Sequence, residues 1–376
     1  MNTFTLSTTK DCEDLLIGST WLSAGGGGSV EMGLFQLQAI LDEGLSMGWV
    51  PVESVADDIW TATVGVHGVI GAVSEETEEK LKSLGLKSGG TNEWVGEAVK
   101  GLANYLGRNI ETLVACELGP ESIADVLTAG ARLGIPVVDG DYVGRAAPEE
   151  LQATYCLYDK FKLIFASSDP WGNVAVVQNA ISPHMLERLA KMLSVAAYGA
   201  VAVAGAPLKG HEMKDIVVRN TLSTCLKAGR AVRRALDSNE DPIDAGRTAV
   251  DGWRLFEGEV VETNAEDIDG YTFGKTRLKG SGQYEGQQLE VWFKNEIHVS
   301  WLNGKPWVCS PDIVSLIYQH NGMGPVNSDV KCGDRMVAIG CKGLEGFRSE
   351  KGLGLAGPRH YGFDVDYVPI EVLLSV

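Results

Sequence analysis

The spacing of hydrophobic and polar positions predicts alternating helices and strands in the first half of the chain. Residues 59–65 are β-branched and bounded by glycine, which is typical of a strand. Helices are predicted over 75–84 and 95–106, because each helical pattern ends at a glycine. Another helix is predicted after Ser29, its N-cap, from leucines at helical spacing: Leu34, Leu37, Leu41 and Leu45.

The clearest unit is a strand, a helix and a second strand between residues 112 and 139. Residues 112–117 and 136–139 have the strand pattern. Between them Pro120 stands at the first helical position and Gly134 ends the helix. Strand, helix and strand within about thirty residues indicate a parallel pair with a right-handed crossover. We therefore expect an α/β first half.

The second half is predicted to be rich in β-structure. Asn303 and Gly304 suit the positive φ angles of a type I′ hairpin turn. Frequent short strands with little helix between them favour a sandwich or a barrel. We place the domains at 1–178 and 179–376. The predicted strands beyond residue 252 are centred near six positions: Glu259, Tyr271, Val291, Val299, Ile313 and Val337.

Composition narrows the classes of function. At about 150 residues per domain, 376 residues predict two or three domains. The net charge of −18 repels phosphate backbones and anionic membranes, so neither nucleic acid nor a membrane is an expected partner. Seven cysteines without CxxC spacing indicate reduced thiols in a cytoplasmic protein. The uncharged run 192–208 is dominated by small residues and contains Pro207, so we expect a soluble protein.

Candidate catalytic residues stand at the ends of three predicted strands. In open parallel sheets, ligands bind beyond the carboxyl ends of the strands. Glu117 ends one strand, Asp139 and Asp141 end its neighbour, and His67 follows a third. Crowded carboxylates raise one another's proton affinity and so provide an acid and a base. Alternatively they hold a divalent metal with His67, or Asp139 and Asp141 are loop carboxylates that bind backbone amides.

Two neighbouring features add ligand-binding candidates. Arg145 and Glu149 follow the second acidic strand, where arginine either neutralises acids or holds an anionic or carbonyl-bearing ligand. Bare backbone amides before a helix favour a phosphate, a carboxylate or a developing oxyanion, although a flexible turn is the alternative. Four glycines provide such amides: Gly25, Gly26, Gly27 and Gly28.

Five segments in chain order resemble the S-methyl thiohydantoin desulfurase family. They read SAGGGGS at 23–29, GIPVVDGDYVGRAAPE at 134–149, DPWGN at 169–173, SPDIV at 310–314 and GPRHYGFDVDY at 357–367. The resemblance implies a three-layer α/β/α N-terminal domain and a C-terminal domain that contains a β-barrel. It also implies hydrolytic release of methanethiol from an S-methylated thiohydantoin, which leaves a hydantoin.

The chain departs from the family pattern at two places near the predicted cleft. Residues 117–122 stand where the family usually has a Glu-Ile-Gly-Gly-x-Asn-like stretch, and His67 and Gly68 stand where it usually has Gly-Ala-Pro. Two hypotheses follow. In the first, the protein is a hydrolase of a small heterocycle in which Asp139, Asp141 or Glu117 activates water. In the second, it is a non-catalytic ligand-binding subunit of a hydantoinase-like enzyme. Self-association is also left open.

Overall fold

The chain forms two β-sheets and a set of helices, which a computed structural model describes for residues 3–68, 75–86 and 93–375. The first elements are β1 (Phe4–Leu6), α1 (Thr9–Ser19), α2 (Val30–Asp42), β2 (Met47–Val50), β3 (Trp60–Gly68), α3 (Glu75–Ser83), α4 (Trp94–Leu106), β4 (Thr112–Ala115), α5 (Pro120–Leu133) and β5 (Val137–Asp141). Next come α6 (Thr154–Leu157), β6 (Phe165–Ser168), β7 (Val174–Val177), α7 (Pro183–Ala196), β8 (Ala200–Lys209), α8 (Gly210–Ile216), β9 (Val218–Arg219), α9 (Thr221–Asp237) and α10 (Pro242–Ala249). The last are β10 (Trp253–Ile268), β11 (Tyr271–Gly280), β12 (Gln288–Lys294), β13 (Glu296–Leu302), β14 (Lys305–Cys309), β15 (Ile313–Tyr318), β16 (Arg335–Cys341), α11 (Glu350–Ala356) and α12 (Ile370–Leu373).

Local sequence signals set several of these boundaries as predicted. The Ser29 hydroxyl accepts a hydrogen bond from the third residue of α2 and caps that helix. Pro120 opens α5, and Gly134, with φ of 64°, ends it. Asn303 and Gly304 have φ of 52° and 76°, so the predicted type I′ turn between β13 and β14 is confirmed.

The first sheet combines a parallel centre with antiparallel edges. Its strand order is β1-β2-β5-β4-β3-β8-β6-β7, and β9 pairs with β5. The strands β2, β5, β4 and β3 run parallel, whereas β8 pairs antiparallel with both β3 and β6. The carboxyl ends of β3, β4 and β5 therefore meet at one edge of the sheet, as the sequence predicts.

Helices cover both faces of this sheet. Leu113 and Ala115 on β4 belong to an apolar cluster with the buried faces of α4 and α5. Val114, between them, belongs to a second cluster with Tyr155 of α6 and Met213 of α8. Alternate residues of a strand point to opposite faces, so the three-layer α/β/α arrangement is confirmed.

The second sheet is antiparallel throughout and curls into a half-barrel. Its order is β14-β13-β12-β11-β10-β16-β15, and its edge strands β14 and β15 contact each other. The α/β first half and the β-rich second half are thus as predicted. The predicted boundary at 178/179 falls between β7 and α7, and the first sheet continues across it through β8. Among the described residues, no helix has both the length and the apolar character needed to cross a bilayer.

Candidate functional site

A cavity of about 450 Å³ lies at the carboxyl edge of the first sheet, where the start of β13 from the second sheet also reaches it. Its wall is strongly acidic. Within the described part of the chain, Lys191 is the one lysine and His67 the one histidine that line it. Eight carboxyl side chains line the same wall: Glu117, Glu121, Asp125, Glu149, Glu150, Glu187, Glu296 and Asp329.

The four glycines form one wall of this cavity. Gly25, Gly27 and Gly28 have φ of 79°, 68° and 84°, which side chains rarely adopt. A Cβ atom on Gly26 would lie 1.8 Å from a carboxyl oxygen of Glu296, so this close approach requires glycine. Among the described residues, no acceptor takes the amide hydrogens of Gly27 and Gly28. The loop therefore offers free donors just before the N-terminus of α2.

Glu117 lies two residues beyond the end of β4 and faces the cavity. Its carboxyl oxygens accept hydrogen bonds from the Ser122 hydroxyl at 2.8 Å and from the Ala147 amide at 2.7 Å. Burial nevertheless raises the pKa of Glu117 to about 7. The group is therefore divided between its acidic and basic forms near neutral pH, as a general base requires.

Glu296, the first residue of β13, supplies a second carboxyl group to the cavity wall. It is 2% exposed, and among the described residues its Oε2 atom has no hydrogen-bond partner. Burial, and then the negative charge of Glu117, raise the pKa of Glu296 well above its usual range. The Glu117 carboxylate accepts two hydrogen bonds, whereas Oε2 of Glu296 accepts none from the described residues, so burial favours the neutral form more strongly at Glu296. Two carboxyl groups with different proton affinities can act as acid and base.

The other cavity carboxyl groups differ according to their neighbours. Burial raises the pKa of both Asp125 and Glu150 to about 7. Glu149 behaves in the opposite way. It contacts Lys294 and lies 2.8 Å from the imidazole Nε2 of His360. Although burial opposes ionisation, these contacts lower the pKa of Glu149 to about 2, so its charge is fixed.

Comparison with known families finds one family model for each half of the chain. Residues 10–179 match the model of the S-Me-THD-like N-terminal domain, and residues 181–370 match that of the S-Me-THD-like C-terminal domain. The chain belongs to the S-Me-THD-like family. The resemblance found in the sequence motifs is thereby confirmed.

One solved structure shares the fold of this S-Me-THD-like chain. It is an X-ray crystal structure of a protein from Chromobacterium violaceum that is 19% identical. The match covers 98% of this chain and 100% of the other, with a TM-score of 0.76. At this identity the likeness shows the fold alone. A search of curated proteins found no match.

The structure of the S-Me-THD-like chain brings together one part of the predicted site. Glu117, His67 and Glu149 line the cavity together with Gly25, Gly26, Gly27 and Gly28. Burial lowers the pKa of His67, so its imidazole is neutral near pH 7. The remaining predicted residues, Asp139, Asp141 and Arg145, do not line this cavity.

Asp139 and Asp141 are held by hydrogen bonds outside the cavity. Asp139 accepts bonds from the Ser223 amide at 3.0 Å and its hydroxyl at 2.5 Å, in the first turn of α9. One oxygen of Asp141 accepts bonds from the amides of Val143 and Gly144, at 2.6 and 2.5 Å. These contacts correspond to the alternative in which the two aspartates bind backbone amides.

Arg145 joins the two halves of the protein. It is 7% exposed, and its guanidinium donates to the carbonyl oxygens of Ala146 and Ile297 at 2.9 Å and of Asp312 at 3.3 Å. Two of these acceptors belong to the second half, so the arginine links it to the loop after β5. Burial lowers the pKa of Arg145, while the neighbouring Glu296 opposes that change.

The predicted metal alternative is not matched by the arrangement of ligands. Over 3–68, 75–86 and 93–375, no three His, Cys, Asp or Glu side chains are grouped so that they could share a metal ion. Asp139 and Asp141 are already engaged by protein donors, and His67 lines a cavity that neither of them reaches.

Sequence reasoning missed Glu296, Glu121, Asp125, Glu150 and Glu187. The segment 295–299, NEIHV, places a carboxyl and an imidazole among apolar residues at the start of a strand, and all five residues of 296–300 are buried. An acidic residue inside an apolar pattern indicates a candidate functional site. Carboxyl groups are rarely buried unless they are paired with another group or have a function. Glu121 and Asp125 are one helical turn apart on α5 and give a similar signal.

Proposed function

We propose that this protein is a hydrolase that releases methanethiol from an S-methylated thiohydantoin and leaves a hydantoin. Membership of the S-Me-THD-like family supports the substrate class. The observation that carries the proposal is the pair Glu117 and Glu296, which line one cavity with different proton affinities. Such a pair supplies both a base for water and an acid for the substrate.

In the proposed reaction, water adds to ring carbon C2, which carries the methylthio group. The Glu117 carboxylate takes a proton from water as the oxygen bonds to C2. The electron pair of the C2–N double bond moves to the ring nitrogen, which takes a proton from Glu296. The C2–S bond then breaks with its electron pair on sulfur. Glu117 returns its proton to that sulfur, and the C2 hydroxyl returns a proton to Glu296, so both carboxyl groups regain their starting states.

The glycine loop stabilises charge in this scheme. When the nitrogen between C2 and C4 gains an electron pair, negative charge spreads to the oxygen on C4. The free amides of Gly27 and Gly28 are suited to bind that oxygen, because they are fixed donors that need no rearrangement. The acidic wall in turn offers carboxyl oxygens as acceptors for the ring N–H groups.

The test measures thiol release from a 5-substituted S-methyl thiohydantoin in water labelled with ¹⁸O. The wild type is expected to release methanethiol and to place the label on C2 of the hydantoin. Glu117→Gln and Glu296→Gln are each expected to lower kcat by about 10²–10⁴-fold. Glu259→Gln, at an exposed glutamate on β10, is the matched control and is expected to keep full activity.

Two results would overturn the proposal in different ways. Unchanged thiol release in both cavity variants would show that these carboxyl groups do not do the chemistry. Saturable hydantoin binding by calorimetry, without turnover of any S-methyl compound, would instead identify the non-catalytic ligand-binding subunit described above.

A further inference from the structure

A small, mostly apolar pocket adjoins the central cavity, and the reaction proposed above assigns it no role. It lies between the first sheet and α7 and has a volume of about 40 Å³. The two spaces adjoin, because five residues line both: Gly65, His67, Cys116, Glu150 and Glu187. We call it the side pocket. Its apolar wall is formed by seven residues: Phe161, Ile164, Phe165, Leu186, Ala190, Val203 and Ala206.

The side pocket lies where two adjacent strands, β3 and β8, each have a glycine on the face toward α7. Thr63, Gly65 and His67 of β3 share that face, since alternate strand residues point the same way. On β8, Gly205 is paired with Thr63 on one side and with Phe165 on the other. A Cβ atom on Gly205 would meet its nearest neighbour at 3.6 Å, and one on Gly65 would meet nothing within 4 Å. The backbone therefore permits alanine at both positions, and the glycines leave the space open.

Size and polarity indicate what the side pocket accepts. A water-sized group needs about 10–15 Å³ on the same scale, so about 40 Å³ admits about three or four such groups. A methylthio group has two heavy atoms and no strong hydrogen-bonding group, which suits an apolar wall better than water does. A hydantoin ring is too large for this space and fits the central cavity instead.

We infer that the side pocket binds the methylthio group of the substrate and so selects small S-alkyl leaving groups. This inference rests on the proposed function. The ring would lie among the carboxyl groups of the central cavity, with the C2–S bond directed at the side pocket past the residues that line both spaces. After cleavage, methanethiol would occupy the side pocket until it leaves. Longer S-alkyl chains would meet the side chains of Phe165 and Leu186, which are almost fully buried and cannot move aside easily.

The test fills the side pocket by one methyl group. Gly205→Ala is expected to lower kcat/KM for the S-methyl substrate at least tenfold, because hydrophobic pockets discriminate single methyl or methylene groups to that extent. Affinity for the hydantoin product, which has no S-alkyl group, is expected to stay within twofold. Ala190→Val fills the same space from α7 and is expected to act alike. Gly354→Ala on α11, where a Cβ atom also meets nothing within 4 Å, is the matched control.

Calorimetric affinities separate failure of this inference from failure of the proposed function. In the Glu117→Gln background, where hydrolysis is slow enough for binding to be measured, the protein is expected to bind the S-methyl compound more tightly than the hydantoin. Adding Gly205→Ala is expected to remove that preference. This comparison needs no turnover, so it remains valid if the protein proves not to be a desulfurase. Two results would refute the side pocket as the methylthio site. In the first, Gly205→Ala and Ala190→Val lower the affinity for both ligands equally. In the second, neither variant lowers the affinity for either ligand.

Discussion

Replacing Glu117 by glutamine is expected to stabilise the protein at neutral and alkaline pH. The folded state raises the pKa of this carboxyl from 4.5 to about 7 by burying it. As the pH rises above 4.5, the unfolded chain ionises at this position before the folded chain does. The wild type therefore loses stability between pH 4.5 and 7. Glutamine has the shape of the neutral acid and cannot ionise, so the variant escapes this loss.

The magnitude follows from the same two pKa values. A rise from 4.5 to about 7 corresponds to about 3 kcal/mol at 1.36 kcal/mol for each pKa unit. Near pH 4 the two proteins are expected to be about equally stable. Above pH 7 the variant is expected to be more stable by about 3 kcal/mol, or about 4 °C in Tm for a chain of this length. Its amide can still accept from Ala147 and donate to the Ser122 hydroxyl, so no hydrogen bond is lost.

Thermal unfolding of the two proteins at intervals from pH 4 to 8.5 measures the difference directly. Glu259→Gln, on the exposed surface of β10, is expected to show a small difference that does not change with pH. A Glu117→Gln difference that stays flat across pH 4.5–7 would refute the reasoning, because it would mean that folding does not disfavour the Glu117 charge. Greater stability together with lost thiol release would show that this carboxyl is kept for chemistry at a cost in stability.

Three further predictions follow from other contacts. Asp312→Ala leaves the buried Arg348 guanidinium paired with Glu371 alone and removes the acceptor of the Gly343 and Ile370 amides. It is expected to lower the free energy of unfolding by about 3–5 kcal/mol in urea titrations, and a loss below 1 kcal/mol would contradict this. Asp139→Ala removes the cap of α9 and is expected to cost about 1–2 kcal/mol while kcat stays within twofold; a large fall in kcat would instead support the catalytic role predicted from the sequence. Gly26→Ala places a Cβ atom 1.8 Å from a Glu296 carboxyl oxygen, so it is expected to reduce thiol release at least 100-fold, and near-normal release would show that this contact is dispensable.

Local signals in the sequence predicted much of the fold. Pro120 and Gly134 fix the two ends of α5, and Asn303-Gly304 fixes a hairpin, because each acts through backbone angles within a few residues. No helix or strand was predicted before Ser29, although this segment contains β1 and α1. A three-residue edge strand such as β1 is defined by its pairing with β2, which lies some forty residues further along the chain.

The candidate site was predicted in part, from strand ends and from the four glycines that precede α2. Glu117 and His67 reach the cavity because parallel strands end at a common edge. The strand-end rule also predicted Asp139 and Asp141, which do not line the cavity. The rule locates the edge of the sheet but does not give the direction of each side chain. Glu296 comes from a different sheet, and its place in the cavity depends on how the two halves meet. No local pattern carries that information.

The position of β8 has a consequence for how the protein is made. This strand lies between β3 and β6, both of which precede it in the chain. When residues 1–178 have been synthesised, β3 and β6 are complete, but β8, which pairs with both of them, is not. Until β8 emerges, their open backbone edges can pair with other nascent chains. Split expression of the two halves would make that exposure permanent, so the fragments are expected to need each other, or a chaperone, from the moment of synthesis.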